Sequence, residues 1–588
     1  MRLRSGILAC AACIAIAAPT AAQSPPPPSD SRLPPGVTLG RPQFEIGPPR
    51  DVVWQQGPAT PQRGRKQPNI IVIMVDDMGF SDIGCYGSEI PTPHLDALAN
   101  DGVKFSQFYN TGRCCPTRAS LLTGLYSHQA GVGHMTADQG VPGYQGRLNQ
   151  SCVTMGEVLR SAGYFTIMTG KWHVGFDDQV NPGSRGFDRS LNLPAGGVHF
   201  SDQTGGKGKS AIFLNGEKIS LDDPRLNPPW YGSDLWTEQG LRFIDEAQKT
   251  GKPFFWYLAH TAPHFPCMAP DATIAKYRGK YMKGWDELSR ERYQRQVESG
   301  LIDASWKQES RPDEVPAWET LSDQEKDRYD HMMAIYAAMI EEIDKNIGKL
   351  VETLRANDQL DNTLILFLSD NGGNAEAGVK GRYEGDNPGD RHSNVFIGEC
   401  WAHLNNVPFR LYKHYNHEGG IASPLIAHWP AAMASRANTS QSLSEKGSPW
   451  ITTPTHVIDL MATCVDLGEA QYPDEQNGRQ ITPMQGQSLK PLLIGKGEFP
   501  SRNLYWEHEG NAAIRVGDHK LVRRGLQGPW ELFDLKNDRT EQDNLAQAAP
   551  EQVAQLRSAW NAWAKTSQVL PKPPTSKPKA QHRRRTPS

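Results

Sequence analysis

Between residues 69 and 429 the chain alternates short apolar runs with longer stretches of helical periodicity. Ile70–Val75 is continuously apolar, the pattern of a strand buried on both faces of a sheet. Val103–Tyr109, Tyr164–Thr169, Pro253–His260, Thr363–Leu368 and Ser423–Trp429 predict further strands. Between them, helices are expected at His94–Asp101, Trp236–Gln248 and Asp330–Leu354. In the last, Met333, Tyr336, Ile340, Ile343, Ile347, Leu350 and Leu354 recur at helical spacing and mark a core-facing stripe. Thr154 and Glu157 have the spacing of a capping box, which starts a helix over Met155–Ala162; Gly163 closes it. Thr455–Leu467 reads as one more helix. Strands alternating with helices predict an α/β fold with a large, doubly wound, mostly parallel sheet flanked by helices.

The texture changes near Arg502. Short alternating strands are expected near 503–507, 511–516, 519–523 and 530–534, followed by a helix at Ala549–Trp563. This predicts a small C-terminal α+β subdomain. The resulting plan is a main domain over 67–500 with a polar, irregular or helical insertion at 271–330, an antiparallel subdomain over 501–568, and a disordered basic tail over 569–588. Residues 23–66 are Pro-rich and read as a linker.

Composition narrows the partners. With 62 basic and 65 acidic residues the net charge is −3, which argues against nucleic acid. No segment beyond the N-terminus is long and apolar enough for stable membrane association. Arg2 and Arg4, the apolar run Ile7–Ala18 and Thr20-Ala21-Ala22 predict a signal peptide over 1–22 and an exported, periplasmic or secreted protein. Seven cysteines then remain: Cys85, Cys114, Cys115, Cys152, Cys267, Cys400 and Cys464. They are dispersed without a CxxC, which argues against a structural zinc site. Their odd number leaves at least one unpaired within the chain.

Candidate chemistry sits at the strand ends. Asp76 and Asp77 follow the first strand; Lys171 and His173 follow the third. His264 lies just past PFFWYLAH, and Asp370-Asn371 follows Thr363–Leu368. Between two of these lies TGRCCPTRASLLTG, residues 111–124, with Cys114, Pro116 and Arg118 in a Cys-x-Pro-x-Arg box. Pro116 suits a first helical position. Cys114 would then lie just before a helix N-terminus, where free N–H groups and the dipole favour an anion. Each feature has a plainer reading: paired structural cysteines, a capping aspartate, a loop histidine. Their shared position is the argument, because ligands of doubly wound sheets bind outside the carboxyl ends of the strands. Three carboxylates and an amide suit a hard cation. Arginine, lysines and histidines around them suit a sulfate or phosphate ester.

The segments CCPTRASLLTG, IVIMVDDMG, TGKWHVG, TAPHFP, LSDNGG and PFRLYKHYNHEGGI, all within about 69–564, resemble the type I, formylglycine-dependent sulfatases of the alkaline-phosphatase-like superfamily. The 271–330 insertion resembles that of the bacterial arylsulfatase branch. The resemblance implies that a formylglycine-generating maturation enzyme converts Cys114 to Cα-formylglycine, whose hydrate is the nucleophile. It implies that Asp76, Asp77, Asp370, Asn371 and the formylglycine hold one Ca²⁺, with Mg²⁺ as an alternative. Arg118 and Lys171 would hold the hydrate and the sulfate. His173 would assist sulfate release, His264 would protonate the leaving oxygen, and Lys413 would bind the sulfate. The implied substrate is a small organic sulfate ester. Two alternatives are a phosphonate monoester or phosphodiester hydrolase using the same centre, and a binding protein that keeps Cys114 as a thiol. Leu125 and Ala422-Ser423 depart from residues common in relatives, and Cys115 stands beside the nucleophile precursor.

Overall fold

The computed structural model of the chain describes residues 67–175, 177–206, 211–433 and 450–572. The expected signal peptide, the Pro-rich linker, Lys207, Lys209 and Ser210 of a Gly-rich loop, and residues 573–588 of the tail lie outside the described residues.

In chain order the strands of the main sheet are β1 (Asn69–Val75), β2 (Val103–Tyr109), β3 (Phe165–Lys171), β4 (Arg189–Leu193), β5 (Ile212–Leu214), β6 (Glu217–Ile219), β7 (Phe254–Ala259) and β8 (Thr363–Ser369). After a small ribbon, β9 (Arg382–Glu384) with β10 (Asn394–Phe396), the sheet regains β11 (Ala422–His428), β12 (Trp450–Ile451) and β13 (Thr455–His456). Their spatial order is β12-β2-β11-β8-β1-β7-β3-β4-β5-β6, with β13 also paired to β2. β1 is parallel to both β7 and β8, and β3 to both β7 and β4. β11 and β5 run antiparallel to their neighbours. The expected doubly wound, mostly parallel architecture is thus present. Register matters here: Met74 pairs with Ala259 and Val75 with Ser369, so β1, β7 and β8 end at one level. The residues just past these three strands therefore emerge side by side.

Alternation along β1 explains the two layers. Ile71, Ile73 and Val75 join a core with α1 (Pro93–Asn100), α4 (Gly232–Thr250) and α7 (Asp323–Ala356). Ile70, Val72 and Met74 join another with α2 (Cys114–Thr123), α3 (Met155–Ser161) and α11 (Ile458–Leu467). The α3 capping box forms in both directions, Thr154 to Glu157 and back. The insertion is helical in part: α5 (Asp271–Ile274) and α6 (Gly284–Glu298) precede α7. It is anchored by Arg292, which pairs with Asp82 at 2.7 Å and Glu89 at 2.8 Å. The short helices α8 (Gly398–Asn405), α9 (Glu418–Ile421), α10 (Pro430–Met433) and α12 (Lys490–Ile494) complete the main region, with a second ribbon of β14 (Glu475–Gln476) and β15 (Arg479–Gln480).

Three differences from expectation have local causes. α7 starts at Asp323 rather than Asp330, because Ser322 and Glu325 form a second capping box ahead of the apolar stripe. α11 starts at Ile458, since Thr455 and His456 pair with β2 instead. β4–β6 lengthen the sheet where the pattern is too short and too mixed to read as strands.

The C-terminal region matches its pattern closely. β16 (Leu504–His508), β17 (Asn511–Val516), β18 (His519–Arg523) and β19 (Trp530–Asp534) form an antiparallel meander. α13 (Pro550–Thr566) covers one face through Leu556, Trp560 and Ala564. The other face, with Leu504, Trp506 and Val522, packs into the main core. Val569, at the start of the expected tail, is buried against α13. All seven described cysteines are free thiols.

Candidate active site

The chain turns sharply after β1. Asp77 is left-handed (φ 68°), a conformation uncommon for a residue with a side chain. The turn lets the adjacent carboxylates of Asp76 and Asp77 face the same space rather than alternate. Both are fully buried, as are Asp370 and Asn371 after β8. Asp77 N–H donates to Asp370 Oδ1 at 3.2 Å, and Asn371 Nδ2 donates to Asp77 Oδ1 at 2.8 Å. β3 contributes Lys171 as its last residue. Its Nζ lies 2.5 Å from Asp76 Oδ2. β3 can approach β7 this closely only because residue 170 is glycine: a Cβ there would stand 1.8 Å from Ala259 O.

The sequence placed Pro116 first in the next helix, with Cys114 just ahead of it. Instead Arg113 is the N-cap and Cys114 is the first residue of α2, with Pro116 still inside the first turn. There its missing N–H costs no intrahelical bond. Cys114 therefore sits on the positive end of α2, and it is 1% exposed. Arg118, one turn on, is fully buried and grips Asp370 Oδ2 through Nε (3.1 Å) and Nη2 (2.7 Å). Its Nη1 donates to Lys171 O at 2.9 Å. Donor atoms of Cys114, Cys115 and His173 lie within 4.8 Å of one another. A hydrogen bond from Cys115, aided by His173 and Lys171 against the effect of burial, holds the Cys114 thiol well below its usual range. Burial and the same bond push Cys115 up. The two neighbours are thus chemically unlike. Burial and Lys171 lower His173 to about 4, so its imidazole is neutral at neutral pH.

On the opposite side of Asp77, Lys413 Nζ approaches Oδ1 at 2.8 Å and His264 Nε2 approaches Oδ2 at 3.6 Å. His264 stacks on Phe265 (ring centroids 4.1 Å), which stacks on Phe396 (4.3 Å). A column of stacked rings therefore runs out from that histidine and ends under Arg382, 4.9 Å from the Phe396 centroid.

All residues singled out at the strand ends, together with Lys413, converge on this one site. Sequence reasoning missed several supports. Asn374 Nδ2 donates to Asp77 Oδ2 at 2.6 Å. Glu376 pairs with Arg113 at 2.9 Å and lies 3.6 Å from Lys413. His199 reaches His264 O at 3.1 Å. The continuation of LSDNGG into Asn374 and Glu376 was the available signal for the first two. Nothing local marks His199.

The donor set fits a hard divalent cation. Among the described residues, Asp76 Oδ1 and Asn371 Oδ1 are buried without a hydrogen-bond partner. Such oxygens are costly unless something coordinates them. With Asp77 and Asp370 they present only oxygen ligands, the preference of Ca²⁺ and Mg²⁺.

Comparison with known proteins agrees with this geometry. The Sulfatase family model matches residues 68–470. An uncharacterised sulfatase of Schizosaccharomyces pombe is 33% identical over 555 residues, covering 87% of this chain and 96% of its own. An arylsulfatase of Klebsiella aerogenes is 36% identical over 395 residues, covering 62% and 82%. The crystal structure of Ps i-CgsB superposes with a TM-score of 0.61 at 26% identity, covering 86% of this chain and 98% of that one. The strand-end carboxylates, the cysteine at a helix N-terminus and these matches together make the chain a member of the sulfatase family: a type I sulfatase of the alkaline-phosphatase-like superfamily and a sulfuric ester hydrolase.

Proposed function

We propose that this sulfatase is an arylsulfatase that uses a formylglycine made from Cys114 and one bound Ca²⁺. The observation that carries the reading is the meeting, in one buried site, of Cys114 on the α2 N-terminus with Asp76, Asp77, Asp370 and Asn371. A formylglycine at position 114 would supply, as its hydrate, a diol nucleophile that leaves no stable ester on the chain. Asp76, Asp77, Asp370 and Asn371 would hold Ca²⁺, which would supply positive charge to the sulfate oxygens.

The chain's own groups do the rest. The α2 N-terminus, Arg118 and Lys171 set fixed positive charge around the sulfate, where charge grows as the ester bond breaks. Lys413 does so from the far side of Asp77. His173, beside Cys114, holds or releases the proton of a diol hydroxyl. His264 faces the leaving oxygen, and its Nε2 delivers the proton that converts it to a phenol or alcohol. Phe265 and Phe396, stacked in a column from His264, make that side of the site aromatic, which suits an aromatic leaving group. The Klebsiella arylsulfatase supports that preference.

The test is paired rate measurement on an aryl sulfate and an aryl phosphonate monoester, with and without Ca²⁺, alongside peptide mass spectrometry over residues 114–118. Faster sulfate hydrolysis, dependent on the cation and on converted Cys114, is expected. A clear preference for the phosphonate would assign the same centre to phosphonate ester hydrolysis instead. Active enzyme with only unmodified cysteine would remove Cys114 as the precursor.

A further inference from the structure

Lys413 and His414 are neighbours with different destinations. His414 is left-handed (φ 83°). While Lys413 meets Asp77, His414 turns to the tip of the β16–β17 hairpin. There its Nδ1 lies 2.9 Å from Glu509 Oε2. His508, one residue earlier on that hairpin, is fully buried. Among the described residues neither of its ring nitrogens has a hydrogen-bond partner; Glu509 Oε1 stands 3.7 Å from Nε2. One donor atom from each of His414, His508 and Glu509 lies within 4.8 Å of the others. A buried imidazole without partners is destabilising, and a coordinated cation would offset that.

We propose that His414, His508 and Glu509 form a second metal site, for a borderline divalent transition metal such as Zn²⁺, with its fourth position open to solvent. Two imidazoles and a carboxylate are a zinc donor set, whereas Ca²⁺ prefers oxygen alone. The site is therefore chemically distinct from the strand-end carboxylates. It is also distinct from the cysteine-held zinc that the dispersed thiols argue against.

The surroundings complete it. His414 Nε2 accepts from Arg113 Nη1 and lies 3.3 Å from Glu376 Oε1, so a metal at Nδ1 would displace the proton that Nδ1 shares with Glu509. His134 Nε2 lies 3.3 Å from Glu509 Oε1. His134 is not itself a ligand: Met135 N–H donates to its Nδ1 at 2.7 Å, which leaves the ring proton on Nε2, directed at Glu509. A metal here would join the tip of the C-terminal hairpin to the loop that sets Lys413 in the active site. These ligands do not depend on which ester the enzyme cleaves.

The experiment uses the full chain, stripped with chelator, saturated with Ca²⁺ and then titrated with Zn²⁺, or with Co²⁺ for its visible spectrum. Wild type should retain one more equivalent of Zn²⁺ after gel filtration than His508→Gln does, and only wild type should show the absorption of a four-coordinate Co²⁺ site. Glu509→Gln, whose side chain is at the surface, provides a variant whose folding is not at risk. Its affinity should fall by at least the roughly 10–100-fold that loss of a mere supporting group costs. Equal Zn²⁺ retention by wild type and both variants, or none retained by wild type, would overturn the site.

Discussion

Of the buried charge clusters among the described residues, the joint to the C-terminal sheet closes on itself and the one at the strand ends does not. Where the C-terminal sheet meets the main domain, Glu418 of α9 pairs with Lys520 at 2.8 Å and Arg539 at 2.8 Å, and accepts from Tyr109 Oη at 2.9 Å. Glu541 pairs with Lys520 at 2.9 Å and accepts from Glu418 N–H at 2.9 Å. Three of these four carboxylate oxygens accept a hydrogen bond, and the fourth, Glu541 Oε1, has none among the described residues but is ion-paired with Lys520 Nζ at 2.9 Å. At the carboxyl edge of the main sheet, by contrast, Asp76 Oδ1 and Asn371 Oδ1 have no hydrogen-bond partner among the described residues. The first cluster is satisfied by the fold and ties two regions together. The second is complete only with something the chain does not itself supply. Burial of charge is common to both; what separates them is that Asp76 Oδ1 and Asn371 Oδ1 have neither a hydrogen bond nor an ion pair among the described residues, whereas Glu541 Oε1 has Lys520.

The comparison breaks most readily at Cys114. Cys114→Ala should lower kcat on an aryl sulfate by about 10⁴-fold or more, with the thermal midpoint nearly unchanged. Retained turnover would move the catalytic centre elsewhere.

Glu418→Gln tests the closed cluster and should do the reverse. Removing one partner of a buried pair costs about 3–5 kcal/mol, read by denaturant unfolding, while kcat per folded molecule stays near wild type. The same residue sets an acid limit. Burial raises its carboxyl, but Lys520 and Arg539 outweigh this and hold it at about 2 against an ordinary 4.5. Because the folded value is the lower one, its stabilisation is fully present above pH 4.5 and is lost as pH falls toward 2. The unfolding free energy of Glu418→Gln should therefore change less over that window than that of wild type.

Chelation acts on the open cluster alone. Removing the divalent cation should abolish activity and lower stability by about 2.7 kcal/mol relative to protein at a hundredfold excess of cation over Kd, both restored by Ca²⁺. Unchanged unfolding in chelator would show that the unpaired oxygens are not a cation site. The smallest effect is at the rim. Phe396→Ala removes one ring of the stack beside His264, worth about 1 kcal/mol, or roughly fivefold in kcat/KM for aryl over alkyl sulfates. Equal losses on both substrates would deny the stack its role in selectivity.

Much of this was legible along the chain because it is local. Continuous apolar runs require burial on two faces, so β1, β7 and β8 could be read one by one. The Thr154–Glu157 spacing announces α3, and short alternating runs between Gly and Asp turns announce β16–β19. The site was half legible for a related reason. A doubly wound sheet brings its strand ends to one edge, so polar residues just past apolar runs can be collected without knowing which strands are neighbours. Lys413 follows no strand, and only the family resemblance assigned it. The capping box that moves the start of α7 to Asp323 was local too, but it stands before the apolar stripe that drew the reading.

What the amino-acid order determined by itself is the kind of each element and the inventory at its ends: three aspartates, an asparagine, Lys171, two histidines, Arg118 and the Cys114–Cys115 pair. Tertiary structure decided which of them meet. The β12-β2-β11-β8-β1-β7-β3 order, the antiparallel turn of β11 and the unequal environments of Cys114 and Cys115 depend on contacts between residues far apart in the chain. So do the Glu418–Lys520 joint and the approach of His414 to His508. Periodicity reports which face of an element is buried, because that is a property of neighbours in sequence. It carries no information about which other element provides the burial, and partner choice is where charge becomes either a joint or a site.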